Sequence, residues 1–351
     1  MGLYPDPCTL SPEIEMDEYL IALENELRAL VASPDSAYAA YYGIFRYHLG
    51  WTDAQFVEVK CDTGKRLRPL LCLLSCEASC GDWRRALPVA AALELAHNFS
   101  LIHDDIEDNS DERRGRVAVW KVWGLAHGLN AGDGMFVLAR LALDRLCERG
   151  FDDAKCTAIS RVFDEATLAL CQGQFLDLGF ETRIDVTTDE YLQMIGGKTA
   201  ALIAASTRIG AMLATDDAHI VAAFARFGEN IGRAFQITDD ILGIWGDPSV
   251  TGKSAATDIL TKKKSLPALI GLNDPQNGAA LRALYSQNAL SPNDVARVLA
   301  LLDHARAREH AQRYADEFRA AALSALDATG IKNRALERLR EMAEAMTKRA
   351  R

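Results

Sequence analysis

The chain has eight cysteines, at positions 8, 61, 72, 76, 80, 147, 156 and 171, and none of them forms C-x-x-C. Neither a zinc ribbon nor a dithiol redox pair is therefore expected, and a reducing cytoplasm suits the thiols best. Long apolar runs are missing too. Stretches such as 87–95 and 200–205 fall far short of the roughly 20 residues a bilayer span needs. The first 30 residues hold Asp6, Glu13, Glu15, Asp17 and Glu18 but no Lys or Arg before Arg28, the wrong charge for a signal or transit peptide. Basic residues are outnumbered, 39 Lys plus Arg against 49 Asp plus Glu, for a net charge of -10. A general affinity for nucleic acid or anionic lipid is thereby excluded, and any phosphate binding is local. Runs of β-branched residues are rare, and no convincing strand is visible. Long linkers, low-complexity tracts and internal repeats are absent as well.

What is present is helix. The chain is 351 residues long, 49% apolar and 25% charged, enough to bury roughly 70–75% of its unfolded surface. Apolar residues recur at three- and four-residue spacing almost throughout. Helix starts are expected at Ser11-Pro12, Ser33-Pro34-Asp35, Thr187-Thr188-Asp189-Glu190 and Ser291-Pro292-Asn293-Asp294, with stops or bends at Gly150, Gly210 and Gly330. The reading is one all-α domain over 1–351, with residues 1–50 as an N-terminal helical hairpin and about a dozen helices in all. Two stretches read as irregular: 243–258, broken by Gly246, Pro248 and Gly252, and 109–117, which holds three arginines. Cys72, Cys76 and Cys80 fall on one helical stripe and are assigned to the core.

The sharpest chemical feature is Ser100-Leu101-Ile102-His103-Asp104-Asp105-Ile106-Glu107-Asp108, after an apolar helix that begins near Ala86. On a helix Asp104 and Asp108 share a face, with Asp105 about 100° round. Carboxylates so placed repel one another unless a cation sits between them, and hard oxygen ligands specify Mg²⁺. The same residues also fit a solvated acidic helix end. Asp239-Asp240 ends a second apolar helix, 224–237, and two such pairs facing each other in one bundle would grip metal around a polyanion. His103 reads as a packing residue beside the acids. Lys65 and Arg68 stand three apart, hence on one helical face, where both suit phosphate oxygens. Arg113, Arg114, Lys198 and Lys253 add charge, and the run Lys262–Lys264 reads as a solvated face.

These residues, taken in order, resemble the trans-isoprenyl diphosphate synthases, or polyprenyl synthetases. The matching stretches are Gly64-Lys65-Arg66-Leu67-Arg68-Pro69, His97-Asn98-Phe99-Ser100-Leu101-Ile102-His103-Asp104-Asp105-x-x-Asp108 with Arg113-Arg114, Gly173-Gln174-x-x-Asp177-Leu178 and Gly197-Lys198-Thr199. Phe235-Gln236-x-x-Asp239-Asp240, Gly252-Lys253 and Lys264-Ser265-Leu266-Pro267 complete the set. The wording is most similar to the bacterial branch that includes geranylgeranyl diphosphate synthases.

The resemblance implies a helical bundle around a central cavity, a homodimer, and the joining of an allylic diphosphate to isopentenyl diphosphate. It gives a trio of Mg²⁺ ions, replaceable by Mn²⁺, to Asp104, Asp108 and Asp239, with Asp105 and Asp240 beside them. Arg113, Lys198 and Lys253 then add charge at the allylic diphosphate, Lys65, Arg68, His97 and Arg114 bind the second one, and Lys264 is a further substrate-binding residue. Thr199 and Gln236 direct oxygen dipoles at the allylic cation. Phe99 and Ser100 set product length, with geranylgeranyl diphosphate expected first and farnesyl diphosphate second. The alternatives are a terpene cyclase, which has no use for a second diphosphate site, and an inactive regulatory subunit. Two positions depart from the family pattern: Gly243 stands where a third aspartate is usual, and Val117 where a proline is usual.

Overall fold

The computed structural model describes residues 12–246 and 257–348, which fold almost wholly as helix. The chain groups into two compact units, 1–161 with 212–214, and 162–211 with 215–351.

The first unit contains α1 (Pro12–Leu30), α2 (Ala39–His48), α3 (Leu67–Cys80), α4 (Leu87–Glu107), α5 (Val119–Trp123), α6 (Leu125–Glu148) and the start of α7 (Asp153–Phe180). Every residue from Leu87 to Ala96 is buried, so α4 has apolar surface all round and forms the centre of the unit. α6, α3, α1 and α5 pack on it. α1 contributes Tyr19, Leu23 and Leu27, a buried i, i+4, i+8 stripe. α3 contributes Cys72 and Cys76, both buried as expected.

The expectation of no strand is corrected within 109–117. Glu112–Arg113 (β1) pairs antiparallel with Arg116–Val117 (β2). Arg114 (φ 54°) and Gly115 (φ 69°) both adopt positive φ, the geometry of a two-residue hairpin turn whose twist matches its strands. Arg116 anchors this hairpin by donating to the carbonyls of Tyr47 (2.8 Å) and Thr52 (2.6 Å).

The second unit holds the rest of α7, then α8 (Thr188–Ile195), a π-helical turn (Gly196–Ala200), most of α9 (Ala201–Ala214), α10 (Ala218–Trp245), α11 (Thr257–Leu260), α12 (Leu266–Leu272), α13 (Gly278–Tyr285), α14 (Pro292–His304), α15 (Ala307–Asp327) and α16 (Arg334–Thr347). Its core joins Tyr191 and Ile195 of α8, Ile237 and Ile241 of α10, Leu269 of α12 and Leu302 of α14. The small stripe Ala307, Ala311, Ala315 lets α15 pack closely on α10.

Thr187 and Ser291 form capping boxes with Glu190 and Asp294, as their sequences indicate. Gly150 and Gly330 turn the chain at positive φ. Elsewhere the expectations change. Gly210 lies inside α9 and stops nothing. Asp35 caps a 3-10 turn, Ser36–Tyr38, so Pro34 does not open a helix. α10 runs on to Trp245, which puts Asp239, Asp240 and Gly243 inside a helix and not at its end. No helix among the described residues is long and apolar enough to cross a membrane.

Candidate active site

In the first unit the last turn of α4 carries Asp104 and Asp105, and Asp108 caps it. The two adjacent aspartates have different surroundings. Asp105 is 1% exposed, and its Oδ1 accepts from Nε of Arg113 at 2.8 Å and also from Nη2. Burial raises its pKa against the lowering pull of that arginine. Asp104 is partly exposed and meets Nη2 of Arg113 at 3.3 Å, while Asp108 is exposed. Asp104 and Asp108 thus present carboxylate toward solvent, with Asp105 turned inward to hold the arginine.

Beside this lies a concentration of positive charge. Arg66 reaches Glu94 at 2.5 Å in a buried ion pair. Asn98 donates to the Glu94 carboxylate at 2.7 Å and accepts from Arg114 Nη2 at 3.5 Å. The Arg114 guanidinium lies over Gly64, where a Cβ would come within 2.9 Å of Nη2. His97 is pushed well below the usual histidine range by burial first, then by Arg68, Arg114 and Arg113. His48, which the sequence reading does not single out, is lowered in the same way by burial and by Arg114 and Arg113. Arg114 Nη1 and His48 Nε2 are buried with no hydrogen-bond partner among the described residues. A buried guanidinium N–H without an acceptor is costly, and an anion is the kind of group that would satisfy it.

One sequence inference about this region is corrected. Lys65 and Arg68 do not share a helical face: Arg66 takes φ 48°, α3 begins only at Leu67, and Lys65 precedes it as an exposed residue. Phe99 is buried and packs on Phe136 of α6, ring centroids 5.1 Å apart. Ser100 Oγ donates to the His97 carbonyl at 2.8 Å. His103 contacts the Leu129 carbonyl at 3.1 Å and the edge of Phe99, a packing role.

In the second unit, a close backbone approach positions the next group. A Cβ on Gly173 would overlap the backbone of Lys198, and one on Gly197 would press into the Ala169 carbonyl at 2.5 Å. Only glycine at both places lets α7 and the π turn touch. That contact places Lys198 Nζ 2.5 Å from Asp177 Oδ2. Thr199, in the same turn, donates to Gln236 Oε1 at 2.7 Å, and Gln236 Nε2 donates to Asp240 Oδ1 at 3.0 Å.

Asp240 parallels Asp105. It is 2% exposed, and its Oδ2 accepts from Tyr191 OH at 2.6 Å and from the Leu266 amide at 3.2 Å. Lys263 stands 3.9 Å from Oδ1. Asp239 is exposed, the outward member of its pair. Burial opposes the charge on Lys263, yet Asp240, Asp258, Asp177 and Asp239 together hold it firmly protonated.

The lysine run is therefore not just a solvated face. Lys264 donates to the carbonyls of Glu181 and Lys262, both at 3.1 Å, whereas Lys263 faces the carboxylates. Lys262 at φ 54° turns the chain just before them, a turn that the run of three identical residues conceals. Lys253 lies outside the described residues. At Gly243 an added Cβ would collide with the Asp258 carboxylate, so carboxylate oxygen from elsewhere in the chain fills the place beside the missing third aspartate.

The donor chemistry fits Mg²⁺. Asp104 and Asp108 in the first unit and Asp239 in the second each offer hard carboxylate oxygen, the donor type that suits Mg²⁺, and among the described residues no group of three or more His, Cys, Asp or Glu side chains is placed to hold a metal ion.

Known proteins with these features are synthases of prenyl diphosphates. The chain is 41% identical over 284 residues to a geranylgeranyl diphosphate synthase of Mycobacterium tuberculosis, covering 80% of this chain and 79% of that one. It is 45% identical over 224 residues to a (2E,6E)-farnesyl diphosphate synthase of Mycobacterium bovis, covering 64% and 61%. The crystal structure of a polyprenyl synthetase from Streptomyces coelicolor matches with a TM-score of 0.85 at 35% identity, over 94% of this chain and 98% of that one. The polyprenyl synthetase family model matches residues 52–302, and the chain belongs to that family of prenyltransferases.

Proposed function

We propose that the protein condenses isopentenyl diphosphate with an allylic diphosphate to an all-trans prenyl diphosphate, geranylgeranyl diphosphate before any other. The observation that carries this reading is the buried guanidinium cluster of the first unit, whose Arg114 Nη1 has no acceptor among the described residues. A second diphosphate would supply one, and a terpene cyclase has no second diphosphate to bind.

Asp104, Asp108 and Asp239 would hold Mg²⁺, which when bound neutralises the allylic diphosphate as it departs. Arg113, Lys198 and Lys263 add fixed positive charge for the same anion. Arg114, Arg68, His97 and Lys65 orient isopentenyl diphosphate so that its alkene lies within reach of the allylic carbon. A neutral His97, in keeping with its lowered pKa, contributes a hydrogen bond and no further charge. Thr199 and Gln236 turn oxygen toward the allylic cation while Asp240 fixes Gln236. No side chain is assigned as general base, and the released diphosphate takes the final proton.

Phe99 backed by Phe136 supports a short floor and hence a product of geranylgeranyl length. The farnesyl reading is second and is favoured by the 45% identical relative. A cytoplasmic homodimer belongs to the same proposal. It is supported by thiols in the free state and by exposed apolar residues on α6, Leu125 with Leu129 and Val137 with Leu141, each pair one turn apart.

The test is to incubate the protein and Mg²⁺ with labelled isopentenyl diphosphate and dimethylallyl, geranyl or farnesyl diphosphate, then measure the chain length of the dephosphorylated product. A linear prenyl alcohol of geranylgeranyl length is expected. Cyclic hydrocarbon from the allylic substrate alone, or no product with any primer, overturns the reading.

A further inference from the structure

Cys147 lies in the last turn of α6 and Cys156 in the first turn of α7. They are nine positions apart, and their Sγ atoms meet at 3.0 Å. The absence of C-x-x-C led to the expectation of no dithiol, and the turn between these helices overturns it. Gly150 at φ +84° reverses the chain. Its amide donates to the Cys147 carbonyl and the Cys156 amide to the Asp152 carbonyl, both at 3.0 Å. Backbone hydrogen bonds thus fix both cysteines. Cys147 is exposed, and Cys156 is half-buried with its Sγ 3.7 Å from the Phe151 carbonyl. A disulfide bond is about 2.0 Å long, so closure asks the sulfurs to move only about another ångström, a small rotation about χ1.

We propose that Cys147 and Cys156 are a modification site, a dithiol that small-molecule disulfides of the glutathione type oxidise to an intramolecular disulfide joining α6 to α7. The exposed Cys147 thiolate attacks the small disulfide, breaks its S–S bond and expels one small thiolate, which takes up a proton. Cys156 then loses its proton to water and attacks the Cys147 sulfur. The protein S–S bond forms as the second small thiol leaves, and two electrons pass from the pair to the oxidant. The Cys156 thiol is pushed up to about 12 by burial and then by the Cys147 thiol beside it, so the closing step quickens as pH rises. In a reducing cytoplasm the pair rests as thiols, and oxidative stress closes it. The bridge lies eleven residues, about 16 Å of helix, from Phe136 on α6, so it braces the helical corner and leaves prenyl transfer intact.

The test equilibrates the full chain in reduced and oxidised glutathione at stepped ratios, alkylates the remaining thiols and reads intact mass and peptide maps. Expected is the joint loss of two alkylation sites, a mass lower by two hydrogens and one cross-linked peptide containing Cys147 and Cys156. Cys156→Ser should hold a glutathione adduct on Cys147. Thermal unfolding should shift upward on oxidation of the wild type and not of Cys147→Ser. Full alkylation of both thiols at the most oxidising ratio, an unbridged adduct in the wild type, or bridges between chains would each overturn the proposal.

Discussion

Replacing Asp240 by Asn should destabilise the fold and impair turnover together, by an amount that follows from its four neighbours. The Asp240 carboxylate serves Tyr191 and Leu266 through Oδ2, and Gln236 and Lys263 through Oδ1. An asparagine keeps its oxygen toward the first two and presents an NH₂ to the others, so donor meets donor in a buried site. Gln236 can flip its amide, but the Thr199 hydroxyl must then accept from its NH₂ and leave its own proton without the Gln236 oxygen. One hydrogen bond is lost either way, at about 1–3 kcal/mol. Lys263 also loses its charge partner at 3.9 Å, an interaction of about 4 kcal/mol at an effective dielectric constant of 20. The lysine side chain is 37% exposed, and water screens that attraction to about 1 kcal/mol. The expected total is a loss of about 2–4 kcal/mol, read as a lower urea midpoint at unchanged m-value, with kcat reduced at least tenfold because Gln236 and Thr199 shift. Asp239→Asn, at an exposed position, should abolish turnover with a stability change within about 0.5 kcal/mol. If the two variants unfold at the same midpoint, the division into an inward and an outward aspartate is refuted.

Four further outcomes can be measured. Lys65→Ala should raise KM for isopentenyl diphosphate more than KM for the allylic partner, and equal effects would contradict the two-site assignment. Phe99→Ala should lengthen the prenyl product and cost about 3–5 kcal/mol for a buried ring removed; an unchanged product would put the floor elsewhere. Burial and the neighbouring arginines hold His48 and His97 well below the usual histidine range, so in acid the unfolded chain takes up protons that the folded one does not. Stability should fall as pH drops from about 7 toward 5, and urea midpoints of His48→Gln and His97→Gln should each show a shallower fall than the wild type. Gly243→Ala should lower the unfolding temperature, because its methyl group must displace the Asp258 carboxylate; an unchanged temperature would mean the carboxylate moves aside without cost.

Much of the helical framework is legible in the sequence because its signals are local. A capping box such as Thr187 with Glu190 needs only neighbouring residues to form, and so does the one-turn spacing of Asp104 and Asp108. The functional geometry is harder to see where it depends on tertiary packing. Lys65 looks helical until Arg66 takes positive φ. The glycines at 173 and 197 show their purpose only when two backbones touch, and the turn at Lys262 leaves Lys263 and Lys264 facing different partners. Asp240 and Asp239 are alike in sequence, and burial alone separates them. The pairing of Cys147 with Cys156 follows no short motif, since a helical turn and not sequence spacing brings the sulfurs together.

Arg113 has a consequence for how the site changes when ligand arrives. Its guanidinium is shared between Asp105, which is buried, and Asp104, which is not. Under the proposed function, where Asp104 turns to a cation, Asp105 still holds the guanidinium through Nε and Nη2, so the aim of the arginine does not depend on its exposed partner.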